Sequence, residues 1–356
     1  MKPYRLLSFL LAAAVLSCGK ADIPEPKPAI LQESGTGAAT GIVSVSLGGP
    51  FATTRVADPS SSVENTCHRW AVWFFDQNGD SVAYGTGQAG DSIRRTVLAG
   101  RYTIVAVANY PDRLIPEQIK RMTQITQWVS NLSDNSTGSM LMYGESSLEL
   151  EKDQTVSRNV DVRRLVAKVG VKKVSVAFEN PYLAAKTTRL EAIYLTNLYR
   201  TSRLGTDFTD MELSASESAW YNVMGWRPDN AANPQADALV GDLDIRVTLT
   251  PSAPHNTPHY FYAYPNAMSM DDDTHEASWS KRSTRLVLQV AIGNKTYYYQ
   301  VQVPSMGRNR IYVADEIILK KLGSMDPEQE IPGSVDVVFS ALGVDWDQDV
   351  NVSENS

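Results

Sequence analysis

The stretch GIVSVSLGGPFATTR, residues 41–55, decides how the rest of the chain is read. Val43, Val45 and Leu47 alternate with Ser44 and Ser46, the period-two pattern of a strand with one buried face. Gly48-Gly49-Pro50 breaks that strand, and an isolated arginine, Arg55, follows in a polar segment. An early strand, a breaker and a lone arginine describe a strand that proteolysis can remove. Its loss would leave its neighbours' backbone groups and an apolar groove open to a strand from another chain. The plainer reading is the first strand of an ordinary β-domain, so the flanking sequence has to decide.

Upstream, Lys2 and Arg5 precede an apolar run, Leu6 to Leu16, that is too short to cross a bilayer as a helix. It ends in Val15-Leu16-Ser17-Cys18-Gly19, which resembles a bacterial lipobox. The expectation is a signal peptide over residues 1–17 and acylation of Cys18. Acyl chains hold a membrane through about 0.8 kcal/mol per buried methylene, so several chains make a stable anchor. Residues 18–40, rich in Pro, Gly, Ala and polar residues, read as a tether between lipid and fold. With Cys18 acylated, Cys67 has no intrachain partner and reads as a buried thiol.

The 356 residues suffice for two domains. The net charge of -7, with no basic block, excludes nucleic acid as a partner. Downstream the pattern is of short strands: Trp70–Phe75, an Asn78-Gly79 turn, Val82–Tyr84, Ser92–Leu98 and Arg101–Asn109. Ile115, Ile119, Met122, Ile125 and Val129 share one helical face, which predicts a helix over 115–132 with Pro116 in its first turn. Segments 141–145, 147–150 and 155–162 complete a first β-sandwich over 41–163. The second half, 164–356, is again strand-rich: 174–178, 189–196, 243–249, 259–264, 284–292, 296–303, 310–319 and 335–342. Residues 201–240 and 266–283 read as loops.

No constellation asks for catalysis or for a cofactor. Asp271-Asp272-Asp273 with His275 and Glu276 lacks the spacing and glycine of a calcium loop. His255 and His259 have helical spacing, but Pro254 and Pro258 argue against a helix and no glutamate joins them. The aromatic runs at 260–264 and 297–299 would suit a glycan platform, yet strand residues facing core and solvent in turn explain them more simply.

Taken together the residues resemble the Bacteroidetes fimbrillin family, the subunits of type V pili. The blocks that carry the resemblance fall in order along nearly the whole chain. They are the lipobox, Thr53-Thr54-Arg55, Phe74-Phe75-Asp76 with Gly79, and Ala99-Gly100 to Ala108-Asn109. Met142-Tyr143-Gly144-Glu145 and Val162 to Lys168 follow. Arg308 to Tyr312, Leu322-Gly323-Ser324 with Asp326-Pro327, and Val344-Asp345-Trp346 close the series.

The resemblance implies a mainly β protein of two transthyretin-like β-sandwich domains, with a short helix in the N-terminal one. It implies export as a lipoprotein to the outer membrane, cutting by an arginine-specific protease, and polymerisation with other fimbrial subunits by donor-strand exchange into a surface fimbrium that serves adhesion to a host ligand. Arg55 fits the cut, with Val56 as the mature first residue, where the family commonly has Ala. Candidate donor segments are 334–342, in which Val335, Val337, Phe339 and Ala341 alternate, and 344–353, with Val344 and Trp346. A lipid-retained anchor, a tip adhesin and a surface glycan-binding lipoprotein using Tyr262 or Tyr298 are the alternatives.

Overall fold

Six consecutive apolar residues, Trp70 to Phe75, are all buried, because this strand is covered on both faces and paired on both edges. In the computed structural model, which describes residues 38–49, 63–205, 220–221, 238–268, 283–303, 305–327 and 329–346, it is the second strand. The strands of the first half are β1 (Thr40–Gly48), β2 (Trp70–Phe75), β3 (Ser81–Gly87), β4 (Ile93–Leu98), β5 (Gly100–Ala108), β6 (Val129–Asn131), β7 (Met142–Leu150), β8 (Thr155–Asp161) and β9 (Arg163–Arg164). They form one sheet in the order β3-β2-β5-β7-β9 and a second in the order β4-β1-β8. Inward residues of the two, among them Val43, Val45, Ile93, Val97, Val160, Val72 and Ile104, share one apolar core, which makes this half a sandwich.

The strands of the second half are β10 (Ala167–Val171), β11 (Val174–Val176), β12 (Thr188–Thr196), β13 (Leu198–Tyr199), β14 (Thr201–Arg203), β15 (Trp220–Tyr221), β16 (Gly241–Asp242), β17 (Val247–Leu249), β18 (His259–Ala263), β19 (Thr284–Ile292), β20 (Lys295–Val303), β21 (Arg310–Leu319) and β22 (Val335–Asp345). One sheet runs β11-β21-β10-β18 with β22 on β21, and another β16-β12-β19-β20 with β17 on β12. The mainly β sandwich architecture expected from the sequence is present.

Strand pairing changes hands at Arg164: β9 still pairs β7, and β10 already pairs β18 and β21. One small sheet crosses the divide, β6 with β14. Tyr264 sits beneath it, donating to the Asn131 carbonyl at 2.7 Å and lying 2.6 Å from the Ser130 hydroxyl.

That crossing sheet corrects the helix expected over 115–132. The chain gives a 3-10 turn at Pro116–Gln118, one α-turn at Met122–Thr126, then β6. Pro116 does stand in the first turn, and Ile119 and Ile125 are buried, but Ile115 and Val129 at the stripe's ends are exposed. Residues 129–131 find their backbone partners in Thr201–Arg203, so tertiary pairing overrides the helical period. By the same pairing residues 201–203, expected as loop, are strand. The expected strand 243–249 is interrupted: Arg246 takes a left-handed φ of 52°, and only 247–249 pair with β12.

Candidate assembly site

β1 is the middle strand of its sheet. It pairs antiparallel with β4 from Thr40↔Leu98 to Val45↔Ile93, and parallel with β8 from Ile42↔Thr155 to Gly48↔Asp161. The alternation read from the sequence holds: Val43 and Val45 are fully buried, Ser46 is exposed, and Ile42, Ser44 and Leu47 are half-buried. All nine residues are uncharged, so no ion pair fastens the strand. Among the described residues, the side-chain hydrogen bonds of β1 are those of Ser44 Oγ with Ser92 Oγ at 2.6 Å and of Ser46 Oγ to Asn159 Oδ1 at 3.4 Å, and the Ser92 hydroxyl also donates to the Val45 carbonyl at 3.4 Å. What holds β1 is a backbone ladder on both sides and two valines, worth about 1.5–3 kcal/mol each by burial. Any strand of similar length with apolar residues at i and i+2 can supply the same interactions.

The strand ends in a close approach of backbone to backbone. Gly49 has φ 95° and its α-carbon faces the Val162 carbonyl, which a β-carbon would meet at 2.4 Å. Arg55 and Val56 lie outside the described residues, as do Cys18 and the acidic run 271–276.

Glu64 is buried. Its carboxylate accepts from Lys168 Nζ at 2.9 and 3.1 Å and from the Tyr262 hydroxyl. Trp346 stacks on Tyr262 with ring centroids 5.8 Å apart, and its ring lies 4.3 Å from the Arg164 guanidinium carbon and 5.7 Å from Lys168 Nζ. Arg164 Nη1 donates to Asn309 Oδ1 at 3.0 Å, and Asn309 in turn donates to Asp345 at 3.3 Å. The turn at residues 63–65, the junction strand β10 and the end of β22 therefore meet in one buried polar cluster. Sequence reasoning missed it. The available signal was Lys168, a lone cation inside the apolar run 165–171.

The cluster also removes Tyr262 as a glycan platform, since the residue is buried against Glu64. Cys67 is buried as expected, and burial pushes its thiol up to about 11. His255 and His259 stand in a loop and at a strand start, not on a helix.

Of the donor candidates, Val335 and Val337 are half-buried against the core, Ala341 and Trp346 are buried, and Val344 is half-buried. Strict alternation stops at Val338-Phe339, both outward, because register shifts between Val313 and Glu316 place bulges there. Val338, Phe339 and Leu342 are 53, 37 and 52% exposed. β22 pairs with β21 alone and is an edge strand.

Residues 44–210 match the family model described as fimbrillin-A associated anchor proteins Mfa1 and Mfa2. Among solved structures, a protein named for cell adhesion from Bacteroides eggerthii superposes with a TM-score of 0.62 at 16% identity, over 86% of this chain and 96% of that one. A second, from Parabacteroides distasonis, has a TM-score of 0.60 at 14% identity, over 85% and 98%. A fimbrilin from Porphyromonas gingivalis gives 0.58 at 14% identity, over 85% and 96%. No curated protein matches. The structural likenesses establish the fold, and the family model establishes the sequence kinship over 44–210. The resemblance read from the sequence therefore holds: residues 44–210 match a fimbrillin-associated family model, and the fold is that of a solved fimbrilin and of proteins named for cell adhesion.

Proposed function

We propose that this chain is a type V fimbrial subunit of two sandwich domains divided near residue 164. It is exported as a lipoprotein on Cys18, cut after Arg55 by an arginine-specific protease, and assembled by filling the place of β1 with a strand from another subunit. The observation that carries this reading is the position of β1, an uncharged strand held between β4 and β8 by backbone bonds and two valines. Its loss opens two strand edges at once. Because β4 and β8 run in opposite senses beside it, an incoming strand of either direction meets one parallel and one antiparallel neighbour. Seven paired residues span about 23 Å, a length that the segment 335–342 matches. In the fimbrium the protein serves adhesion at the cell surface.

A second reading is favoured by two observations. The matched family is described by its anchor proteins. In this chain β22 is docked on its own β21, with Trp346 packed on Arg164 and Tyr262. A subunit that accepts a strand but keeps its own C-terminal strand would end a fibre at the lipid-anchored base.

Outer-membrane material treated with the arginine-specific protease, followed by N-terminal sequencing, tests both. A stable product beginning at Val56 that polymerises, and stops polymerising when the chain is truncated after Gly333, is the result expected of a stalk subunit. A product that caps fibres without extending them identifies the anchor. A chain that stays uncut at Arg55 under conditions that process other subunits overturns the exchange mechanism.

A further inference from the structure

The net charge of the chain is -7, yet four arginines line one cavity of about 400 Å³ against a single carboxylate. They are Arg163, Arg164, Arg308 and Arg310, with Asp345 as the carboxylate and Tyr143 on another wall. Two of the arginines are committed to the protein. Arg164 is buried and donates to Asn309 Oδ1 at 3.0 Å. Arg308 donates to the Leu204 carbonyl at 2.6 Å and to Ser202 Oγ at 3.1 Å. Arg163 is exposed and has no hydrogen-bond or ion-pair partner among the described residues. Arg310 Nη1 stands 3.9 Å from Asp345, longer than a charge-assisted hydrogen bond. The cleft thus offers two available guanidinium groups in front of two fixed ones, and a concave wall concentrates their field.

The cleft also lies where two sheets run out. β9, which carries Arg163, is the outer strand of its sheet, and β22, which ends in Asp345, is an edge strand of another. Val338, Phe339 and Leu342 of β22 are exposed. Guanidinium forks match carboxylates. Unpaired strand edges match an extended backbone.

We propose that this cleft binds an extended acidic segment of a second protein chain, with its carboxylates on Arg163 and Arg310 and its backbone along the neighbouring sheet edge. The inference does not use the removal of β1; it takes β22 docked on its own β21, as it stands in this structure, and hexaglutamate binding reads it without fibre formation.

The test is fluorescence anisotropy of labelled hexaglutamate with the full chain, against hexaglutamine and a heparin disaccharide. Hexaglutamate is expected to bind, hexaglutamine not to bind, and the affinity to fall with added salt. Arg163→Glu is expected to weaken binding at least tenfold with no change in melting temperature, because its side chain is exposed. Arg310→Gln should weaken binding as well. Absent binding of hexaglutamate, equal binding by the Arg163→Glu chain, or binding of the disaccharide alone each overturns the proposal.

Discussion

Glu64 and Lys168, 104 residues apart in the chain, form a buried ion pair in which Nζ lies 2.9 Å from Oε1 and 3.1 Å from Oε2. The pair is not isolated. Tyr262 donates to the same carboxylate, and Lys168 Nζ stands 4.2 Å from the Tyr260 ring centroid. Such a cluster adds little net stability over a well-packed apolar one, but it is intolerant of losing a single member. It fixes the turn that follows residues 50–62 independently of β1, so the body of the fold keeps its hold on that turn whether β1 is present or gone.

Glu64→Gln is therefore expected to destabilise the chain by about 3–5 kcal/mol, because it leaves the Lys168 ammonium buried without its counter-charge. Adding Lys168→Met should recover a large part of that loss. Urea midpoints of the two single variants and the double variant check this. A double variant as unstable as the sum of the two would show that the pair is not coupled.

In β1 the two faces should respond differently. Val43→Ala and Val45→Ala each remove fully buried methyl groups, at a cost of about 1–2 kcal/mol. Ser46→Ala alters an exposed position and should stay within about 0.5 kcal/mol. Val45→Asp buries an unpaired carboxylate between β4 and β8, and β1 should then leave its place, with protease susceptibility rising in residues 38–62. Melting temperatures and limited proteolysis read these outcomes. Equal sensitivity at positions 45 and 46 would contradict the one-sided burial.

Much of this was legible in the sequence because single strands carry their own signature. β1 and β2 follow directly from alternation and from an unbroken apolar run. The Asn78-Gly79 turn follows from Gly79, whose φ is 77°. Features formed between distant segments were not legible. β6 takes its conformation from residues 201–203, so its helical period misled. The bulges in β22 depend on β21, and they turn Phe339 outward although its spacing matches that of Val335 and Val337. The cluster around Glu64 joins residues 64, 164, 168, 262 and 346, and only Lys168 looks out of place locally.

Cys67 should be a poor nucleophile. Burial pushes its thiol up to about 11, so almost no thiolate exists at neutral pH. Alkylation by iodoacetamide at pH 7.5 is expected to be slow in the folded chain and to accelerate on denaturation, when the thiol returns to about 8.5. Mass mapping of the peptide around residue 67 distinguishes it from Cys18. Rapid labelling of the native chain there would show that the β2 entry opens locally.

The last prediction concerns acid. His255 Nε2 and His259 Nε2 lie 2.7 Å apart, and His259 Nδ1 is 3.3 Å from Asp242. At that separation one ring donates N–H and the other accepts, so a second proton would set two N–H groups against each other. Burial lowers both histidines from their usual 6.5, and the Asp242 charge opposes it only in part. Well above pH 6.5, from about pH 7.5, both rings are neutral in folded and unfolded chains, and the pair contributes no pH dependence. Below that the unfolded chain takes up protons that the native pair refuses, so stability falls with pH until the native rings titrate at their lower values. Urea midpoints between pH 7.5 and 5 should show this decline. His255→Asn with His259→Asn should flatten the decline, and Asp242→Asn should extend it to lower pH, since the charge that favours protonation is gone. The backbone of His255 is bonded both ways to Val174, at 2.8 and 2.9 Å, so loosening under acid should appear as faster amide exchange at residues 174 and 255. A decline of the same slope in the double histidine variant would place the acid sensitivity elsewhere, in carboxylates such as Asp315 and Glu316. Their titration is held low, for Glu316 by Ser175 and Lys173 and for Asp315 by Lys172 and Ser340 against the pull of burial, so their contribution is lost only at more acidic pH.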